Sequence, residues 1–271
     1  MDPVLLVLIC LCIGSIAGFL GGLLGLGGGV IVVPALILLF DTAGTFDAPE
    51  YPANTVVLVT LGTSMASIVF TTLSSSIAQF RRNAVDWEIV KNWIVYLILG
   101  VLLATVLATQ LPAFATKLFI GFFIACIATI MITNWSPGIR NGPPGRGVTG
   151  MLASVGGIIC GLAGIGGGNV VVPTLLFFNT KLVTATAAAS TLGIAISVAG
   201  TAGYILNGLR VDIPNAAGYV YLPALIPLAI ACVICAPLGV HVAHRVHGQI
   251  LRRAFGILMY FVAARMIYSA F

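Results

Sequence analysis

Charge is what this sequence has least of: only 7% of its 271 residues are Asp, Glu, Lys or Arg, while 60% are hydrophobic. An ordinary soluble domain carries about 25% charged residues, so a water-soluble fold is excluded. Apolar runs of roughly 20 residues, each enough to cross a hydrocarbon core, recur from Val4 to Phe271 with short polar breaks. The whole chain is expected to be membrane-embedded, with no soluble domain. The seven acids are Asp2, Asp41, Asp47, Glu50, Asp86, Glu88 and Asp212, and none sits mid-span. That argues against a buried carboxylate proton relay and against a sodium site, which would want a carboxylate.

Other absences narrow the reading further. No Lys or Arg precedes Val4–Leu24 and no small-residue cleavage pattern follows it, so this stretch is expected to be a retained segment rather than a secretory signal. The glycine runs lack the lysine of a phosphate loop and do not follow a strand. No nucleophile or metal motif stands out, so neither an enzyme nor a cofactor or metal is expected. Cys10, Cys12, Cys126, Cys160, Cys232 and Cys235 all lie in apolar segments, where a thiol acts as a small buried hydrophobe. Cys232 and Cys235 form a C-x-x-C pair without βαβ context, which favours packing over a redox relay. The net charge of +5 comes from basic residues in loops. It bears on orientation and anionic lipid, not on nucleic acid.

What the chain does have is a duplication. Gly22 to Pro34 reads GLLGLGGGVIVVP and Gly161 to Pro173 reads GLAGIGGGNVVVP, identical at nine of thirteen positions. A weaker correspondence continues with GTSMAS at Gly62–Ser67 against AASTLG at Ala188–Gly193, and with Val85-Asp86 against Val211-Asp212. The organisation is therefore a first membrane repeat over 1–134, a linker over 135–147 and a second repeat over 148–271. Ordinary spans are expected near Thr55–Phe80, Trp93–Gln110 and Lys117–Thr133, and near Thr184–Leu206, Ala217–Val240 and Leu251–Ala270.

The glycine signature behaves differently. Only eleven residues separate Gly29 from Asp41, too few for a crossing at 1.5 Å per residue. A re-entrant hairpin broken at the glycines follows, leaving three crossings per half, and an odd number inverts the second half. The expected fold is thus an all-α membrane protein of two inverted repeats. Inversion gathers Arg81, Arg82, Lys91, Arg140, Arg146, Lys181, Arg245, Arg252 and Arg253 on one side, with Lys117, Arg210 and Arg265 on the other. Parallel four-span halves would split the same residues seven to five. Because cytoplasmic loops carry the basic excess, the inverted arrangement is preferred, with both termini periplasmic in a bacterial inner membrane.

The glycine tips suit an anion. Helix-start amides lack partners and carry about half a positive charge, and irregular backbone survives at membrane depth only when protein or water covers it. Gly27, Gly28 and Gly29 would meet Gly166, Gly167 and Gly168, with Asn169 directly after the second tip. Packing of small residues is the plainer reading of such glycines, yet the pattern is GxGGG with four residues before a proline, and it occurs twice. Hydroxyls follow on the next span: Thr60, Thr63 and Ser64, then Ser190 and Thr191. Each singly is more apt to satisfy a helix carbonyl, so the repeat-matched pair Ser64 and Ser190 is preferred. His241, His244 and His247 lie in the basic stretch HVAHRVHGQILRR. The first two can gate or sense pH, although helix termination is the commoner role.

At these residues the chain resembles the sulfite exporter TauE/SafE family, also described as 4-toluene sulfonate uptake permeases. The resemblance spans nearly the whole sequence through GGLLGLGGGVIVVP, Thr63-Ser64, RRNAVDW and GLAGIGGGNVVVP. It implies export of a small sulfur-containing anion such as sulfite, sulfoacetate or another organosulfonate by alternating access. One departure is Gln79-Phe80, where the family often shows a histidine, so a proton-linked role there is not carried over. An anion channel and a thiol relay through Cys232 and Cys235 are the alternatives. The partners implied are the anion and membrane lipid, and a homodimer is left open.

Overall fold

A computed structural model describes residues 2–24, 27–46, 51–80, 85–133, 145–243 and 248–268. The first half supplies α1 (Pro3–Leu24), α2 (Gly29–Ala43), α3 (Thr55–Phe80), α4 (Trp87–Gln110) and α5 (Ala113–Thr133). The second supplies α6 (Arg146–Ala163), α7 (Gly168–Phe177) and α8 (Leu182–Gly208). A small antiparallel pair follows, β1 (Ala216–Ala217) and β2 (Val220–Tyr221), and then α9 (Leu222–Ala243) and α10 (Gly248–Tyr268). Among the described residues, α1, α3, α4, α5, α8 and α9 are long and apolar enough to cross a bilayer, whereas α2, α6 and α7 are shorter. The chain is a multi-pass α-helical membrane protein. Its exposed side chains, among them Leu8, Leu99, Phe122, Ile234 and Phe261, are apolar, as a surface facing lipid requires.

Several boundaries depart from expectation for visible reasons. α4 begins at Trp87 rather than Trp93, because the Asp86 carboxylate accepts from the amides of Glu88 and Ile89 and caps the helix. α9 begins at Leu222 rather than Ala217, because β1 and β2 fold back around Gly218 at φ 58. α6 starts at Arg146, inside the stretch assigned to the linker, and residues 134–144 lie outside the described set. α10 (Gly248–Tyr268) runs over the stretch where the last span is expected, Leu251–Ala270.

Four helix pairs hold the fold: α1 with α9, α4 with α6, α3 with α8, and α5 with α10. Gly14, Gly18 and Gly22 of α1 face Leu228, Cys232 and Ala236 of α9 in ascending order, so these helices run parallel. Gly150, Gly157 and Gly161 of α6 meet Tyr96, Gly100 and Ala104 of α4 in the same sense. In both, glycines four or seven apart let backbones close in where lipid offers no hydrophobic drive. The other pairs run antiparallel. Met65 and Thr72 of α3 meet Gly200 and Gly193 of α8, while Gly121 and Ala128 of α5 meet Ala263 and Gly256 of α10.

These directions fix the path of the glycine segments. Since α1 runs with α9, it enters at the end of the molecule where α9 starts. At that same end, Phe40 and Phe46, from and just after the last turns of α2, pack on Tyr221 at 5.9 and 5.5 Å between ring centroids. α2 therefore returns to the end from which α1 entered. In the second half α6 runs with α4, and Val170 of α7 lies against Gly156, two turns before the end of α6, where a Cβ would meet its Cγ1 at 3.0 Å. α7 also turns back. The Lys117 ammonium, in the first turns of α5, bonds the Asp41 carboxylate of α2 at 2.7 Å, a clasp across the end where Phe40 and Tyr221 lie.

Candidate functional site

The helix breaks fall where the glycines are. Gly27 and Gly28 both take left-handed φ values, 76° and 77°, a conformation that costs an L side chain roughly 1–2 kcal/mol. Gly28 then starts α2 by accepting at its carbonyl from the amides of Ile31 and Val32. In the second half Gly164, at φ 65, closes α6, and the Gly167 carbonyl starts α7 by accepting from Val170 and Val171. Each short helix carries a proline, Pro34 or Pro173. Lacking an N–H, each proline leaves a carbonyl four residues back, Val30 or Asn169, without its helical donor.

The two tips touch. A Cβ placed on Gly27 would lie 3.4 Å from the Gly166 Cα, and one on Gly29 would lie 2.9 Å from the Gly164 oxygen. Gly28 instead backs onto α1, with Ala17 behind it, and Gly167 faces Ile196 and Gly193 of α8. Gly168 is buried in the first turn of α7. Ile68 and Thr72, midway along α3, rest against the first tip, and Gly193 and Ile196 lie midway along α8. The contact between the halves thus sits at mid-depth of the two central helices.

Among the predicted hydroxyls, Ser64 is the one that reaches a tip. It is fully buried and donates to the Gly164 carbonyl at 2.8 Å. Thr63 faces the other way, its oxygen accepting from the Tyr221 amide at 3.0 Å, so it anchors the β turn that leads into α9. Burial raises the Tyr219 and Tyr221 phenols above their ordinary range, which keeps both neutral beside it. Ser190 and Thr191 donate to Thr186 and Ala187 in their own helix, at 2.9 and 3.0 Å. Their protons are therefore committed to α8. His241 lies exposed in the last turn of α9, and His244 is outside the described residues. Cys232 is buried and donates its thiol to the Gly14 carbonyl across the α1–α9 contact at 3.3 Å.

Asn169 differs from all of these. Its side chain is 3% exposed, and neither Nδ2 nor Oδ1 has a hydrogen-bond partner within the protein. In a helix the Cα–Cβ bond tilts toward the N-terminus, so from the first turn of α7 this amide leans toward the second glycine tip. Leaving a buried polar group unpaired costs about 1–3 kcal/mol, and such a group in a membrane core demands an explanation.

Among the described residues three hydroxyls on α3 share the condition: Thr55, Thr60 and Ser76 are buried with no partner. The last two fall on a row of residues four apart, Thr60, Ser64, Ile68, Thr72 and Ser76. The middle three touch the tips and the outer two lie one turn beyond on either side. Ser76 is the residue that sequence reasoning missed. Its signal was the four-residue spacing along a helix that is unusually rich in hydroxyls yet the most enclosed of the six. Among the described residues no group of His, Cys, Asp or Glu could hold a metal ion.

A multi-pass helical protein with two broken arms meeting at mid-depth, flanked by unpaired neutral polar groups, has the architecture of a membrane transport protein. The chain belongs to the sulfite exporter TauE/SafE family, whose model matches residues 10–266. It is 27% identical over 268 residues to a probable membrane transporter protein of Haemophilus influenzae, covering 96% of this chain and 97% of that one. Similarity to the probable membrane transporter protein MJ0441 of Methanocaldococcus jannaschii is 25% over 250 residues, 92% of this chain and 90% of that one. To the probable membrane transporter protein YunE of Bacillus subtilis it is 29% over 210 residues, 66% and 71% respectively. No solved structure matches the chain significantly. The protein is a membrane transporter, not an enzyme.

Proposed function

We propose that this transporter exports a small sulfur-containing anion, sulfite, sulfoacetate or a related organosulfonate, by alternating access, with the anion held where the two glycine tips meet. The observation that carries this reading is Asn169, a buried amide without partners among the described residues, in the first turn of α7 and three residues after Gly166, which meets Gly27. Amides of Gly27–Gly29 and Gly166–Gly168 line the cradle, the starts of α2 and α7 supply positive potential, and Ser64 holds the second tip in place through Gly164. Ser190 and Thr191 flank it from α8, offering oxygen rather than protons.

The halves are inverted in the membrane, with both termini periplasmic and the bacterial inner membrane as location. In support, the corresponding helices α3 and α8 run antiparallel, as do α5 and α10. Lys91 and Lys181, at the starts of α4 and α8, fall at the opposite end from the Lys117–Asp41 clasp. An interior-negative potential then favours exit of each negative charge by about 2.3 kcal/mol per 100 mV, so outward transport needs no coupling carboxylate.

The test is sulfite and sulfoacetate efflux from proteoliposomes at a clamped potential, comparing wild type with Gly167→Leu. A Cβ at Gly167 already lies 2.5 Å from the Ile196 Cδ1, so a leucine would wedge the start of α7 away from α8 and displace the second tip. Loss of efflux in a variant that still inserts and purifies supports the reading. Unchanged efflux removes the tips from the path, and current far above carrier turnover without countertransport would make the protein a channel.

A further inference from the structure

We propose that the cradle selects monoanions that carry a hydrogen-bond donor of their own, and that Asn169 reads that donor. This rests on the reading of the glycine tips as the anion site and adds its selectivity.

Two features of the site set the charge it accepts. No Lys, Arg or His occurs anywhere in α1, α2, α3, α7 or α8, the helices that build and flank the junction. Among the described residues the positive potential there comes from the starts of α2, fifteen residues long, and α7, ten residues long. At about half an elementary charge per helix start, and with the carbonyl ends of α1 and α6 reaching the same tips, the two together offset at most one negative charge. A dianion would enter with a second charge unmatched and far from water, which a low-dielectric site penalises heavily. A monoanion is matched.

The second feature is Asn169 itself. Its amide offers two protons and an acceptor oxygen, and both ends lack a partner. A fully ionised oxyanion with no proton can accept from Nδ2 but gives Oδ1 nothing, so binding it would leave that oxygen buried and unpaired. An anion that also carries an O–H or N–H group satisfies both ends at once. Because both atoms are orphans, this holds whichever way the amide is turned. The first repeat has Val30 at the equivalent place, so the polar reader exists on one side of the cradle only and the ligand has a defined orientation. Sites that hydrogen-bond a polar group on the substrate reject analogues lacking it more strongly than apolar pockets reject an added one. The class selected is thus hydrogen sulfite over the sulfite dianion, and hydroxyalkyl monoanions over their unsubstituted or doubly charged counterparts; of the anions proposed above this favours hydrogen sulfite over sulfoacetate, a dianion at neutral pH.

Matched anions separate these requirements. Binding to purified protein is measured by calorimetry and by ligand-dependent thermal stabilisation, using isethionate against ethanesulfonate, glycolate against acetate, and sulfate as the dianion. The expected result is a preference of about five- to tenfold for the hydroxyl-bearing member of each pair, the effect of one buried hydrogen bond, with sulfate weakest. In Asn169→Leu the isethionate to ethanesulfonate ratio falls to about one, and Asn169→Ala serves as a second apolar replacement if the leucine variant does not fold. Equal binding of both members in wild type, or a preference that survives in both variants, overturns the role of Asn169 while leaving the tips as an anion site. Sulfate binding as well as the monoanions overturns the charge matching. If no anion binds wild type, the anion reading of the tips falls, and this inference with it.

Discussion

Alanine at the first tip separates two costs that the sequence presents as one run of glycines. At Gly27 an added Cβ would find Ile68, Gly166 and Thr72 at 3.3 to 3.5 Å, contacts that small side-chain movements relieve. The cost is then mainly the left-handed backbone at φ 76, roughly 1–2 kcal/mol. At Gly28 the same backbone cost applies, and the Cβ would also lie 2.7 Å from the Ala17 carbonyl oxygen of α1, a backbone atom that no rotamer change can move. Overpacking of this kind adds about 1–3 kcal/mol, for a total of about 2–5 kcal/mol at Gly28. At 1.4 kcal/mol per factor of ten, Gly27→Ala should lower the ratio of intact to disrupted tip junction by about tenfold, and Gly28→Ala by about thirtyfold or more. Gly147→Ala, on an exposed turn of α6 with nothing within 4 Å, is the control and should transport as wild type. Sulfite efflux from proteoliposomes at matched protein content, with melting temperature in detergent as the second readout, orders the three. Efflux at the wild-type rate in Gly28→Ala, or a deeper loss in Gly27→Ala than in Gly28→Ala, would refute the reasoning.

Ser64→Ala removes the bond that ties α3 to the second tip and leaves the Gly164 carbonyl one donor short. A stability loss of about 1–3 kcal/mol, read as a lowered midpoint of thermal unfolding, is expected together with impaired efflux, and Ser64→Thr should recover part of both. Thr60→Val and Ser76→Ala each delete a buried hydroxyl that has no partner. Thermal stability should therefore hold or rise by up to about 1–2 kcal/mol while efflux falls. A variant that loses stability would show that its hydroxyl serves structure rather than the path.

The sequence carried a good deal of this fold because lipid removes ambiguity. A backbone in hydrocarbon must satisfy itself internally, so apolar runs translate into helices, and α3 spans the residues its composition indicates, Thr55 to Phe80. The duplicated glycines marked the breaks for a related reason, since two successive left-handed residues at Gly27 and Gly28 are open to few residue types besides glycine. What the sequence concealed is partner choice. Ser64, Ser190 and Thr191 read alike as hydroxyls following a tip, yet Ser64 reaches across to Gly164 while the other two turn back onto their own helix. That difference depends on which carbonyl lies nearby in three dimensions. The β turn that captures Thr63 was hidden too, because two-residue strands leave almost no periodicity to detect.

The two tips share a sequence but not a conformation. Gly28 precedes α2 at φ 77, whereas Gly167, its counterpart before α7, stands at φ −56, a backbone conformation open to any L residue. On the proposed cycle this difference has a purpose. The helix pairs exchange partners between halves, α1 on α9 and α6 on α4, so a state in which each half adopts the other's arrangement preserves the same set of contacts and exposes the site to the opposite side. In that state Gly167 would take the left-handed conformation and Gly28 would relax. A glycine is then needed at both positions although only one uses its freedom at a time. On that proposal duplication would supply nearly equal energies for the two states, and the one polar departure from symmetry at the tip, Asn169 opposite Val30, would supply what a symmetric cradle lacks: a way to tell one anion from another.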